Sequence, residues 1–198
     1  MKALYLLFTT LSLSFLVLET YAQDSTQIQF RKIDLNVNFN VNGKTNFSEG
    51  SYDGPKSVQA ILTFYPLQFR KTQMGFSLGI EKIEVRSSDS LTTTETRIPI
   101  LATAKINLSK QQAVYLRTQI GTALTTSSFL TIDEIREYNY RDDIGAPIIM
   151  NIGLGINLPF YQVGVGVEMG FSYKQLSYKR INDYQSGAFY LGLSISFP

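Results

Sequence analysis

The feature that most constrains this chain is a period-two alternation of apolar with small or polar residues, clearest in its last stretch. Between Gly187 and Phe197, the apolar Phe189, Leu191, Leu193, Ile195 and Phe197 alternate with Ala188, Tyr190, Gly192, Ser194 and Ser196. Successive side chains of a strand point to opposite faces, so this is a strand with one greasy face and one small, polar face.

Seven earlier stretches repeat the pattern. Ile33 to Val41 sets Ile33, Leu35, Val37, Phe39 and Val41 against Asp34, Asn36, Asn38 and Asn40. Asn is a poor strand former, so a row of it on one face needs a reason, and a polar lumen supplies one. The second stretch sets Val58, Ala60, Leu62 and Phe64 against Gln59, Ile61, Thr63 and Tyr65, with Pro66 ending it. The third sets Met74, Phe76, Leu78 and Ile80 against Gly75, Ser77, Gly79 and Glu81. Ile83 and Val85 then have the other parity, which predicts a bulge near Lys82. The fourth, Ile98 to Leu108, carries Leu101, Thr103, Lys105 and Asn107 on its second face, and the fifth, Val114 to Leu124, carries Tyr115, Arg117, Gln119 and Gly121. The sixth, Ile148 to Leu158, carries Asn151, Gly153, Gly155 and Asn157; the seventh, Val163 to Tyr173, carries Gly164, Gly166, Glu168, Gly170, Ser172 and, one step on, Lys174.

Each stretch has about ten alternating residues, the length a tilted strand needs to cross a bilayer. Residues 42–55, 87–96, 127–146 and 177–186 read as long polar loops, and 67–72, 109–112 and 159–161 as short turns. Long and short connections therefore alternate. Aromatic residues gather at the strand ends: Phe30, Phe64, Phe69, Phe76, Phe160, Tyr161 and Phe197 at one, Phe39, Phe171, Tyr173 and Phe189 at the other. Such girdles belong where an apolar wall meets headgroups. A secreted soluble barrel would reverse the faces and put the polar one in water. A water-facing wall carries many Lys and Glu. Here the polar face is mostly Asn, Ser, Thr, Gln and Gly, and the apolar face lacks charge over its middle. The expected fold is all-β, an eight-stranded antiparallel up-and-down transmembrane β-barrel.

The start of the chain agrees with that compartment. Lys2 gives one positive charge, Ala3 to Leu18 is apolar or hydroxylated, and Thr20-Tyr21-Ala22 precedes Gln23. This predicts a signal peptide over 1–22, cleaved after Ala22, and a barrel domain over 23–198. As an uncleaved anchor the run is short, since a span needs about 20 residues.

These eight stretches resemble the small eight-stranded outer-membrane barrels, of the OmpA and OmpX kind and the related porin-family proteins. The resemblance covers the whole of 23–198 and is architectural. It implies location in the bacterial outer membrane, in contact with its lipid. It also implies an assembly signal in the final strand, read by the barrel assembly machinery and carried here by Phe197, although Pro198 follows the aromatic.

Candidate chemistry is sparse. The sequence has no Cys and no His, which removes thiolate chemistry, the commonest general base and the commonest metal ligand. A net charge of +2 gives no footprint for nucleic acid. Gly153-Leu154-Gly155 and Gly164-Val165-Gly166 lack the spacing of a phosphate loop, and read as room for side chains across a lumen. Asp133, Glu134, Glu137, Asp142 and Asp143 make the longest loop acidic without the spacing of a calcium loop, and read as a solvated loop. No catalytic, cofactor or metal site is expected.

Six charges fall on the polar face: Asp34, Glu81, Glu168, Lys105, Arg117 and Lys174. Buried charges must pair. Asp34, Lys105, Arg117 and Glu168 lie low or midway along their strands, and Glu81 and Lys174 lie higher. This predicts a plug in which Lys105 and Arg117 meet Asp34 and Glu168. The expected function is a non-enzymatic barrel anchored by its wall, with loops that meet a protein partner or something outside. A narrow channel for small solutes is the alternative, and a membrane-embedded enzyme a third reading.

Overall fold

The computed structural model describes residues 32–47, 50–54, 56–86, 91–109, 113–132, 136–139, 147–160, 163–176 and 184–198. The expected signal peptide over 1–22, Phe30, Tyr161, and the loop residues Asp133, Glu134, Asp142 and Asp143 lie outside them.

Ten strands are formed: β1 (Ile33–Phe47), β2 (Gly50–Asp53), β3 (Lys56–Phe69), β4 (Thr72–Arg86), β5 (Leu91–Asn107), β6 (Val114–Ile132), β7 (Arg136–Asn139), β8 (Ile148–Phe160), β9 (Val163–Leu176) and β10 (Tyr184–Phe197). Eight of them make the wall, in the order β1, β3, β4, β5, β6, β8, β9, β10, each antiparallel to the next. β10 then pairs with β1, from Ile33 opposite Phe197 to Asn46 opposite Gln185, and the barrel closes. β2 and β7 are short additions, pairing with the far ends of β1 and β6. Closure leaves the wall no open edge, so its backbone donors and acceptors are met within the sheet, as hydrocarbon requires.

The alternation sorts as the polar-lumen reading expects. Leu193 is 60% exposed and its neighbour Ser194 is 2%. Leu35, Leu62, Leu78, Ile100, Leu154, Val167 and Leu191 all lie on the outer surface, while Asp34, Asn36, Thr63, Ser77, Thr103, Asn151 and Ser194 are buried within. A water-soluble domain has the opposite arrangement. At the end shared by Ile33 and Phe197, Phe64 and Phe76 meet edge to face with ring centres 5.6 Å apart, and Phe69 and Phe197 are also exposed. At the other end Phe171 and Phe189 meet in the same way at 5.7 Å, beside the exposed Phe39.

Three expectations about the strands are corrected. Pro66 does not end its strand: β3 runs on to Phe69, and the register with β4 shifts between Phe64 and Leu67, a bulge that accommodates the missing N–H. The turn contracts to Arg70 and Lys71, with Arg70 at φ 49°. Secondly, there is no bulge near Lys82. Register partners on both sides of β4 continue unshifted past it, and Ile83 and Val85 are buried in phase with Glu81. What changes there is the lumen's chemistry, from polar to apolar. Bulges occur instead at Val41 in β1 and at Thr126 in β6, where Thr126 Oγ1 donates to the Thr96 carbonyl at 3.0 Å. Thirdly, the regions read as long loops are partly strand. β1 and β6 extend to Phe47 and Ile132, and β5 begins at Leu91.

Candidate functional site in the lumen

The lumen is filled by side chains in layers, which can be followed upward from the end where β1 begins and β10 ends. Low in the bore, just above the buried Asn107 and Asn157, lies an ionic layer. Lys105 on β5 donates from Nζ to Asp34 Oδ2 on β1 at 2.7 Å, and Tyr65 on β3 donates to the same oxygen at 3.1 Å. The Lys105 ammonium also sits 4.5 Å from the centre of the Tyr115 ring and 5.7 Å from that of Tyr65, a cation held over aromatic faces in a desolvated setting. Arg117 on β6 faces Glu168 on β9. Its Nη2 lies 2.7 Å from Oε2 as an ionic contact, and Nε donates to Oε1 at 3.3 Å. Tyr190 on β10 donates to the same Oε1 at 2.6 Å. Five wall strands besides β1 thus reach into one cluster, across the bore.

Above it runs a neutral chain. The Thr63 and Ser77 hydroxyls lie 2.8 Å apart, and Ser77 also pairs with Thr103. Gln119 donates to Ser77 at 3.2 Å and to Thr103 at 3.3 Å, and Asn151 donates to the Gln119 carbonyl oxygen at 3.2 Å. Thr63, Thr103 and Gln119 are each one inward position further along their strands than Tyr65, Lys105 and Arg117. Further along, apolar residues follow: Ile61, Leu101, Ala123 and Ile149 form a buried cluster. A second ionic layer lies beyond. Lys174 pairs with Glu81 and donates to Ser57 Oγ at 3.3 Å, while Arg97 pairs with Glu95, donating from Nε to Oε2 at 2.6 Å.

Glycine makes room for the aromatic members. A methyl at Gly155 would fall on the Tyr115 ring, and one at Gly153 would strike the Tyr190 hydroxyl and the Glu168 carboxylate. The glycines of β8 are therefore seats for side chains of the adjoining β6 and β9 and of β10.

All six charges singled out from the sequence are buried here, as Asp34 with Lys105, Glu168 with Arg117, and Glu81 with Lys174. Sequence reasoning missed Glu95 and Arg97, because 87–96 was read as loop and Arg97 sits at its edge. Their signal was parity: both share the odd phase of Leu101, Thr103 and Lys105. It also missed Tyr65, Tyr115 and Tyr190 as members of the charged cluster. Phe197 stands at the closing seam, opposite Ile33 and half exposed on the outer wall. Among the described residues no group of three or more acidic side chains is arranged to hold a metal ion.

Chemically, each carboxylate of this lumen faces a cation. Every partner in the four pairs has a side chain no more than 4% exposed. That arrangement fixes side chains across the bore.

No family model matches the chain, and no curated protein matches it in sequence. Solved structures do match its fold. The crystal structure of Neisserial surface protein A superposes with a TM-score of 0.58 at 13% identity, covering 83% of this chain and 97% of that one. The attachment invasion locus protein of Yersinia pestis superposes with a TM-score of 0.51 at 11% identity, covering 85% of this chain and 100% of that one. The chain therefore has the fold of the small eight-stranded outer-membrane barrels.

Proposed function

We propose that the protein is a non-enzymatic barrel of the bacterial outer membrane, held there by its wall and closed by the ion pairs of its lumen. The observation that carries this reading is the ion-paired interior: among the described residues, four buried ion pairs in two layers, with an apolar cluster between. Side chains joined across so narrow a lumen speak against a solute path. Among the described residues each lumen carboxylate already serves a cation, which speaks against acid–base work. Activity then belongs to the ends of the barrel that rise above the membrane, where β1 with β2, and β5 and β6 with β7, extend the wall beyond its apolar band. Those ends meet a protein partner or a molecule outside the cell.

The test is electrical. Purified protein inserted into a planar bilayer should give no steady porin-like current. A stable, large open-channel current from the wild type would put a narrow solute channel in first place. Hydrolysis of membrane lipid by the purified barrel would instead restore the enzyme reading.

A further inference from the structure

The inward row of β1 is a ladder of amides. Asn36, Asn38 and Asn40 follow Asp34 at every second residue, and after the bulge at Val41 the row resumes with Gly43 and Thr45. Asn36, Asn38 and Thr45 are buried. Elsewhere around the bore the hydroxyls and amides from Thr63 to Asn151 bond to one another. The β1 row does not. Nδ2 and Oδ1 of Asn36, Oδ1 of Asn38, Nδ2 of Asn40 and Oγ1 of Thr45 are buried without a hydrogen-bond partner. The same holds below the row for both amide atoms of Asn107 and for Oδ1 of Asn157, and at its top for Oγ of Ser186, opposite Thr45 on β10.

The spacing explains why these amides miss one another. Inward residues of one strand stand about 6.7 Å apart, and a direct hydrogen bond spans about 2.9 Å. One water between two heads spans about 5.8 Å, which fits the step. An apolar residue of the same shape would spare both the poor strand propensity of Asn and the cost of its unpaired atoms. Each amide instead offers a donor and an acceptor, as a file of water requires. Opposite Asn38 on β10 is Gly192, where a methyl would strike the Asn38 carbonyl oxygen, so that amide head lies over a position with no side chain. Leu101, Ala123 and Ile149, on β5, β6 and β8, line the far side of the bore with apolar atoms.

We propose that the inward row of β1 carries a single file of water through the lumen, so that the barrel passes water while it holds back ions and solutes. The inference rests on the membrane reading above and adds an activity to it. A polar row on one side of the bore gives each water molecule the hydrogen bonds it needs. With apolar residues opposite, it gives an ion no shell to replace its hydration. The four ion pairs engage Asp34 at the foot of the row and none of its amides.

The test is osmotic. Purified protein is reconstituted into phospholipid vesicles, the vesicles are mixed rapidly with sucrose, and their shrinkage is followed by light scattering. Vesicles holding the wild type should shrink faster than protein-free vesicles. Asn36→Leu with Asn38→Leu should lose that added rate, and Asn36→Ser with Asn38→Ser, which keeps polar atoms on the row, should retain most of it. A gel shift on boiling, run on the same vesicles, counts the folded barrels, so that rates are compared per folded molecule. A wild type no faster than lipid alone would overturn the proposal, and so would a leucine variant as fast as the wild type. Absence of the gel shift in the wild type would sink the membrane reading, and a steady ion current from the same protein would sink the closed-lumen reading. Shrinkage at the lipid rate, with the gel shift present and no current, sinks the water file alone.

Discussion

Glu168, like Asp34, ties a cation and a tyrosine together: it faces Arg117 and accepts from Tyr190 at once. Glu168→Leu leaves the Arg117 guanidinium buried without its counter-charge, at a cost of about 3–5 kcal/mol if no water enters. The double change Glu168→Leu with Arg117→Met removes both charges and should cost less than Glu168→Leu alone. Urea unfolding in lipid vesicles measures both, and a double variant less stable than the single one would contradict the pairing account. Glycine sets the other constraint at this scale. Gly155→Ala places a methyl on the Tyr115 ring, which must leave its seat beneath Lys105. Overpacking of this kind costs about 1–3 kcal/mol, and the same unfolding experiment should show a midpoint lowered accordingly. An unchanged midpoint would mean that the ring moves freely.

At the scale of the strand, the alternation made the wall legible. Where the outside is hydrocarbon, outward residues such as Leu62, Leu78 and Ile152 must be apolar, and the period shows in the sequence. Beyond the band the outside is water, and outward positions such as Thr94 and Thr96 have no such duty. The strand continues there without its signature, which is why the start of β5 and its pair Glu95–Arg97 were not foreseen. Ile83 and Val85 misled for a related reason: apolar residues that fill the lumen look like a shift of phase when the lumen is taken to be uniformly polar. The charges Asp34, Lys105, Arg117 and Glu168 were legible because a charge on a small, neutral face stands out, and because neighbouring Lys105 and Arg117 needed anions from across the bore. The closing seam gives the prediction at this scale. Phe197 pairs with Ile33 where β10 joins β1, and the final strand of such barrels is expected to carry the assembly signal. Deleting Phe197 and Pro198 together should lower the folded amount in the membrane, while deleting Pro198 alone, which leaves that pair intact, should matter much less. Quantifying the heat-shifted band from whole membranes reads both, and equal loss from the two deletions would mean that the signal lies elsewhere.

For the whole molecule, the account stands on an inverted distribution of polarity: an apolar exterior from Leu35 around to Leu191, and an interior of ion pairs, hydroxyls and amides. The exterior is the dominant favourable contact in lipid and would be a severe liability in water. The interior is polar, and ion pairs and hydrogen bonds join its side chains across a narrow barrel. Since the chain has no cysteine, single cysteines can report on each face directly. Spin labels placed one at a time at Ile152, Leu154, Ile156 and Leu193 of the reconstituted protein should be reached by molecular oxygen dissolved in the lipid and shielded from a water-soluble nickel complex. Labels at Lys44 and Lys82 above the band should be reached by the nickel complex. If the nickel complex reaches the labels at Ile152, Leu154 and Ile156 as readily as those at the rim, the outer wall does not face lipid and the account is wrong.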